Sequence, residues 1–74
     1  MNSGIKQEKR FTKVIGHWNP SEPSYVKEEN IVVGECAILQ LADGRVVRTS
    51  PVTNFFCAFH GTWTINTANS IYRN

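Results

Sequence analysis

The sequence predicts an all-β domain, a small antiparallel barrel or meander of the SH3-like kind, with five to six short strands and at most one short helical turn. Three observations carry that expectation. β-Branched and aromatic residues gather into short runs rather than long amphipathic stretches. The runs are separated by turn-forming pairs: Asn19-Pro20, Asp43-Gly44, His60-Gly61 and Asn69-Ser70. The run over residues 62–67 alternates Trp63 and Ile65 with threonine and asparagine, as a strand does when one face is buried.

The chain is 74 residues long, which is one domain. A domain of this size hides only about 60% of the surface that its unfolded chain exposes. Phe11, Trp18, Tyr25, Phe55, Phe56, Phe59, Trp63 and Tyr72 would supply a compact aromatic core. Pairing with a second copy would bury more, so a homo-oligomer stays open.

Residues 1–8 are polar, without period, and are expected to be a disordered basic arm; residues 9–74 are expected to form the single β domain. Over residues 10–18, Phe11, Val14, Ile15 and Trp18 fall at spacings of three and four that would suit a helix face. The β-branched Thr12, Val14 and Ile15, with Gly16 and the Asn19-Pro20 stop, favour a strand instead. Pro20 and Pro23 make the next stretch a loop, with Ser24 capping one helical turn through Tyr25 to Glu29.

A hairpin follows, its two β-prone runs joined at Asp43-Gly44, a pair that suits a type I′ turn. In the first run Val33, Ala37, Leu39 and Leu41 share one face, and Gly34, Cys36, Ile38 and Gln40 the other. Both faces are largely apolar, which suits a strand curled inside a barrel, with Gly34 permitting a bulge or bend. Ser50-Pro51 is expected to interrupt the return strand. Residues 54–59 form another strand, with Phe55, Cys57 and Phe59 on one face and Phe56, Ala58 and His60 on the other. A turn at His60-Gly61 leads to a strand with Trp63 and Ile65 inward and the threonines outward. A last turn at residues 68–70 leaves Tyr72 to cover the core.

The formal charge of +2 does not by itself imply nucleic acid. Its distribution is uneven. Lys6, Lys9, Arg10 and Lys13 make the start basic, Glu22, Glu28, Glu29 and Glu35 make the next section acidic, and Arg45, Arg48 and Arg73 make the rest basic again. No apolar run reaches the roughly 18 residues of a membrane span. Residues 1–7 lack the apolar stretch of a signal peptide. The chain therefore reads as cytoplasmic, with Cys36 and Cys57 as free, buried thiols.

A metal would look to His17, Cys36, Cys57 and His60. Cys57 and His60 point to opposite faces of a regular strand, and no paired-cysteine knuckle is present, so no metal or other cofactor is expected. Nucleophilic catalysis would need a thiolate beside a base, yet both cysteines sit among apolar neighbours that disfavour the thiolate. Ser50 and Ser70 lie in no nucleophile motif, no phosphate-binding glycine loop occurs, and Asp43 is explained by its turn. The chain is read as a non-enzyme.

Two binding readings remain. The first is a protein-binding module, with Trp18 and Phe56 as aromatic anchors and Arg48 beside them, aided by an unpaired strand edge. The alternative is a small barrel that binds nucleic acid through Lys9, Arg10, Lys13, Arg45, Arg48 and Arg73.

Arg48-Thr49-Ser50-Pro51-Val52, a strand, the Gly61 turn and Thr67-Ala68-Asn69-Ser70-Ile71-Tyr72 together resemble a group of short uncharacterised proteins of phages and other mobile elements. The likeness covers roughly residues 45–73. This chain departs from the group in its phenylalanine-rich residues 55–59 and its longer first half. The resemblance implies no activity and no functional residue. It implies a setting, phage or prophage, in which small β proteins bind and block host proteins.

Overall fold

The computed structural model describes residues 7–58 and 61–74. Six strands, β1 (Gln7–Asn19), β2 (Ser24–Val26), β3 (Cys36–Leu41), β4 (Val46–Cys57), β5 (Trp63–Thr67) and β6 (Ser70–Arg73), pair in the order β2-β1-β3-β4-β5-β6. A further pairing of β1 with β6 closes β1, β3, β4, β5 and β6 into a ring, with β2 attached outside it along β1. Strand sense alternates around the ring. With an odd number of strands, alternation must bring two of the same sense together, so β1 and β6 pair in parallel while the other pairings are antiparallel. The small all-β barrel expected from the sequence is what the chain forms, with no helix among the described residues.

The β3–β4 hairpin sits at Asp43-Gly44, but its turn is not type I′. That turn needs positive φ at both central residues, and among the described residues positive φ occurs only at glycines. Gly44 N–H donates to the Leu41 carbonyl at 2.9 Å, Leu41 N–H to the Arg45 carbonyl at 2.7 Å, and Gly44 alone takes φ 92°. This is a type I turn over Ala42 and Asp43 followed by a glycine bulge. The Asp43 carboxylate accepts from the Arg45 backbone N–H at 3.0 Å, which fixes the reversal without a left-handed aspartate. The β4–β5 connection repeats the bonding. Ala58 N–H donates to the Thr62 carbonyl and Gly61 N–H to Ala58. Phe59, expected to end the strand, His60, expected at this turn, and the arm residue Lys6 lie outside the described residues.

β1 is longer than expected, starting at Gln7 because residues 7–10 gain β6 as a partner. Two bulges break its ladder with β3, leaving Thr12 and Ile15 as the extra residues. The inward positions thereby fall at Phe11, Val14 and His17, opposite Leu41, Leu39 and Ala37. The spacing of three that looked helical is a strand with a bulge in each repeat.

Pro51 does not end β4. The strand runs through it and changes partner there. Residues 46–51 pair with β3, and residues 52–57 with β5. A proline is tolerated because its missing N–H falls at this handover, while its carbonyl accepts from Ala68 N–H at 3.2 Å. At the adjoining bulge Thr49 and Ser50 face the single residue Ala37, whose N–H donates to the Thr49 hydroxyl at 3.0 Å. The Asn69 side-chain amide donates to Ser50 Oγ at 2.6 Å, tying the β5–β6 turn to the same corner.

The helical turn expected after Ser24 is absent. Ser24, Tyr25 and Val26 form β2, pairing with Asn19, Trp18 and His17. The physical reason is that β1 offers a free edge there, which outweighs one unsupported turn of helix. Phe11, Ile31, Ala37, Leu39, Val52, Ile65 and Tyr72 make the core, with Val14, Leu41, Val47, Phe55 and Trp63 against it. Phe55 and Trp63 stack at 5.7 Å between ring centroids. Thr67 is buried, contrary to the outward placing of the threonines, because residues 63, 65 and 67 share a face. Its hydroxyl accepts from Ser70 N–H at 3.0 Å and so forms the last turn.

Candidate binding surface

Cross-strand register assigns the two faces of the β2-β1-β3-β4 segment. Phe11, Val14, Ala37, Leu39 and Val47 turn inward, and Trp18, Gly16, Ile38 and Arg48 turn outward. On the outer face the Arg48 guanidinium lies over the Trp18 ring, 5.6 Å from its centroid. Trp18 is directly opposite Tyr25 on β2, and the Tyr25 ring lies against Gly16, where a Cβ would come within 2.9 Å of it. Trp18 is half-buried by these neighbours, whereas Tyr25 is 46% exposed. The result is an aromatic and arginine patch that the core does not use.

Two of the three residues expected to bind protein, Trp18 and Arg48, are therefore in contact. Phe56 is not with them. It projects from β4 opposite Thr64, 58% exposed, in the segment that pairs with β5. Tyr25 completes the patch in its place. The signal for Tyr25 was its position in an extended Ser-Tyr-Val segment after Pro23, obscured by the helical reading.

The cations expected to bind nucleic acid divide differently. Lys9, Arg10, Arg45 and Arg48 line one open cleft of about 600 Å³ where β1, β6 and the β3–β4 hairpin meet. Leu41, Val47 and Tyr72 supply its apolar lining. The Lys9 ammonium sits 5.9 Å from the Tyr72 ring centroid. Arg73 instead pairs with Glu8 at 2.9 Å, and Lys13 lies on the outer face opposite Gln40. Asp43 also lines the cleft; the Arg45 backbone N–H and then its guanidinium hold that carboxyl below its usual range.

His17 forms a third cluster. It is buried, with Nδ1 2.7 Å from Glu35 Oε1 and Nε2 3.3 Å from Glu28 Oε1. The Glu35 hydrogen bond is the main cause of a raised His17 pKa; burial opposes it and Glu28 adds to it. Because the carboxylates flank opposite ring nitrogens, the imidazole separates them, and the trio does not converge on a point where a cation could sit. Cys36 is buried on the opposite face of β3 from Ala37, the residue that pairs with His17. Burial pushes its thiol pKa up, the reverse of what a nucleophile requires. Cys57, expected to be buried, is exposed near the end of β4. Among the described residues no three metal-ligating side chains gather into a metal site.

Comparison of the chain with protein-family models, with curated proteins and with solved structures found no match.

Proposed function

We propose that this chain is a non-catalytic binding module that docks a protein partner through the Trp18–Tyr25–Arg48 patch. The observation that carries the proposal is the guanidinium held over the Trp18 ring beside exposed Tyr25. Tryptophan, tyrosine and arginine are the residue types that dominate binding energy at protein interfaces. Stacking on the ring holds Arg48 in place before a partner arrives, which lowers the ordering cost of association. β2 adds a short edge strand to the same surface, able to extend a partner's sheet. The setting that fits is a cytoplasmic phage or mobile-element accessory protein acting on a host protein, with blockade of that protein as the outcome.

The test is site-specific photo-crosslinking in a bacterial host extract. A photoreactive residue at position 25 is expected to give an adduct of defined mass that disappears in Trp18→Ala and Arg48→Glu backgrounds, while the same residue at position 56 gives none. Equal labelling from both positions, or an adduct indifferent to Trp18→Ala, would overturn the proposal.

A further inference from the structure

We infer that the cleft between β1, β6 and the β3–β4 hairpin is a phosphate-binding site for a nucleotide, either free or within a single strand. This rests on residues largely separate from the protein-docking patch. Half of the chain's eight lysines and arginines line this one cleft, although the formal charge of the whole chain is only +2. They arrive from three places: Lys9 and Arg10 from β1, Arg45 from just beyond the hairpin turn, and Arg48 from β4. Such convergence gathers positive potential where a uniformly charged surface would disperse it.

Of the six carboxylates only Asp43 lines the cleft, and Glu8 is paired with Arg73. Glu22, Glu28, Glu29 and Glu35 all belong to the connections flanking β2, and none lines the cleft. Asp43 does line it, but its carboxylate is engaged by the Arg45 backbone at 3.0 Å and by the Arg45 Nε at 2.8 Å. That leaves the guanidinium with further N–H donors for a ligand. Arginine presents a planar fork suited to phosphate oxygens, and lysine acts as a point charge on the same ligand.

The size and lining narrow the ligand class. A cleft of about 600 Å³ falls in the range of small-ligand sites. Tyr72 is only 6% exposed and is faced by the Lys9 ammonium, so its ring is not a platform for a base. Recognition then falls on the phosphates, with the sugar or base resting on Leu41 and Val47 without sequence selection. Phosphodiesters also hold their charge across the pH range in which carboxylates lose theirs, and neutralising a strand's phosphates releases its condensed counterions.

The experiment measures binding of the full chain to labelled oligothymidylate of about twelve nucleotides, to ATP and to polyglutamate, each at low and high salt. The expected result is oligothymidylate or ATP binding at low salt, weakened about tenfold or more in Arg10→Glu and Arg45→Glu. The oligonucleotide salt slope should fall by about 0.7 for each phosphate that a variant no longer neutralises. Binding of ATP alone assigns the site to free nucleotide, and binding of the oligonucleotide alone assigns it to a strand. Both variants keep Trp18 and Arg48, so with the photoreactive residue at position 25 they should still give the adduct; Trp18→Ala should lose the adduct and keep anion binding. Thermal unfolding of both charge variants establishes that they fold. Polyglutamate bound as tightly as oligothymidylate, no phosphate ligand bound at low salt, or affinity unchanged in folded Arg10→Glu and Arg45→Glu would overturn the inference.

Discussion

Gly16 decides how β2 is attached. Its backbone is not in the left-handed region, so what it provides is space rather than an unusual φ. A Cβ there would meet the Val26 carbonyl oxygen and the Tyr25 ring. The ring could swing aside, but the carbonyl belongs to the strand that pairs with β1 and has no such freedom. Gly16→Ala is expected to cost about 1–3 kcal/mol, as overpacking does, read as a lower urea midpoint. The same substitution should abolish the position-25 crosslink, since it moves β2 and Tyr25 away from Trp18. Phe56→Ala provides the contrast. An exposed side chain of that kind is expected to change stability by no more than about 0.5 kcal/mol and leave the crosslink intact. The sequence shows Trp18, Phe56 and Arg48 equally as aromatic and cationic residues near turns. Only the bulges of β1 determine that Trp18 faces Arg48, and a bulge has no distinct local signature when Thr12 and Ile15 are ordinary strand formers.

At the scale of elements, His17 links β1 to both ends of the connection between β2 and β3. An ionised carboxylate only accepts hydrogen bonds, so an imidazole between Glu28 and Glu35 donates from both nitrogens only when it is protonated. A neutral ring must turn a lone pair toward one carboxylate. The folded pKa is therefore raised above the ordinary value near 6.5. Its stabilising contribution is fully present below the unfolded value and is lost as pH rises through the folded one. The urea midpoint should fall as pH rises above the ordinary histidine value near 6.5, and the fall should vanish in His17→Gln. Glu35→Gln, which removes the nearer partner, should lessen the fall more than Glu28→Gln. A pH-independent difference between wild type and His17→Gln would refute this account. Local chemistry made other element-scale features readable. Asp43-Gly44 marks the hairpin because glycine alone takes φ 92° there. Thr49-Ser50-Pro51 marks a corner, although the strand continues through it because the change of partner at residue 52 is a tertiary event.

The whole molecule depends on closure. Residues 7–10 pair with residues 70–73, joining the start of β1 to the last strand, and this pairing brings Lys9 and Arg10 to the same cleft as Arg45 and Arg48. The all-β class is legible in the sequence because turns and alternation are local. The part that residues 7–10 play in closing the barrel is not, since they carry no apolar alternation and owe their strand conformation to β6. The exposed Glu8–Arg73 pair contributes little to that closure, as an ion pair half open to solvent generally does. The backbone ladder and the cover that Lys9 gives Tyr72 are the larger part. Deleting residues 1–10 should therefore be costly. At roughly 1 kcal/mol net for each hydrogen bond removed, the ring gives up several kcal/mol, a large share of the 5–15 kcal/mol typical of folded domains. The truncated chain also presents β6 as an unpaired edge beside a partly uncovered Tyr72, the arrangement that recruits a strand from another copy. It is expected to unfold at lower urea and to sediment with increasing mass as concentration rises, while the full chain does neither over the same range. A truncated chain that stays monomeric with an unchanged midpoint would show that the parallel pairing is incidental and that the other four pairings of the ring keep the chain folded without it.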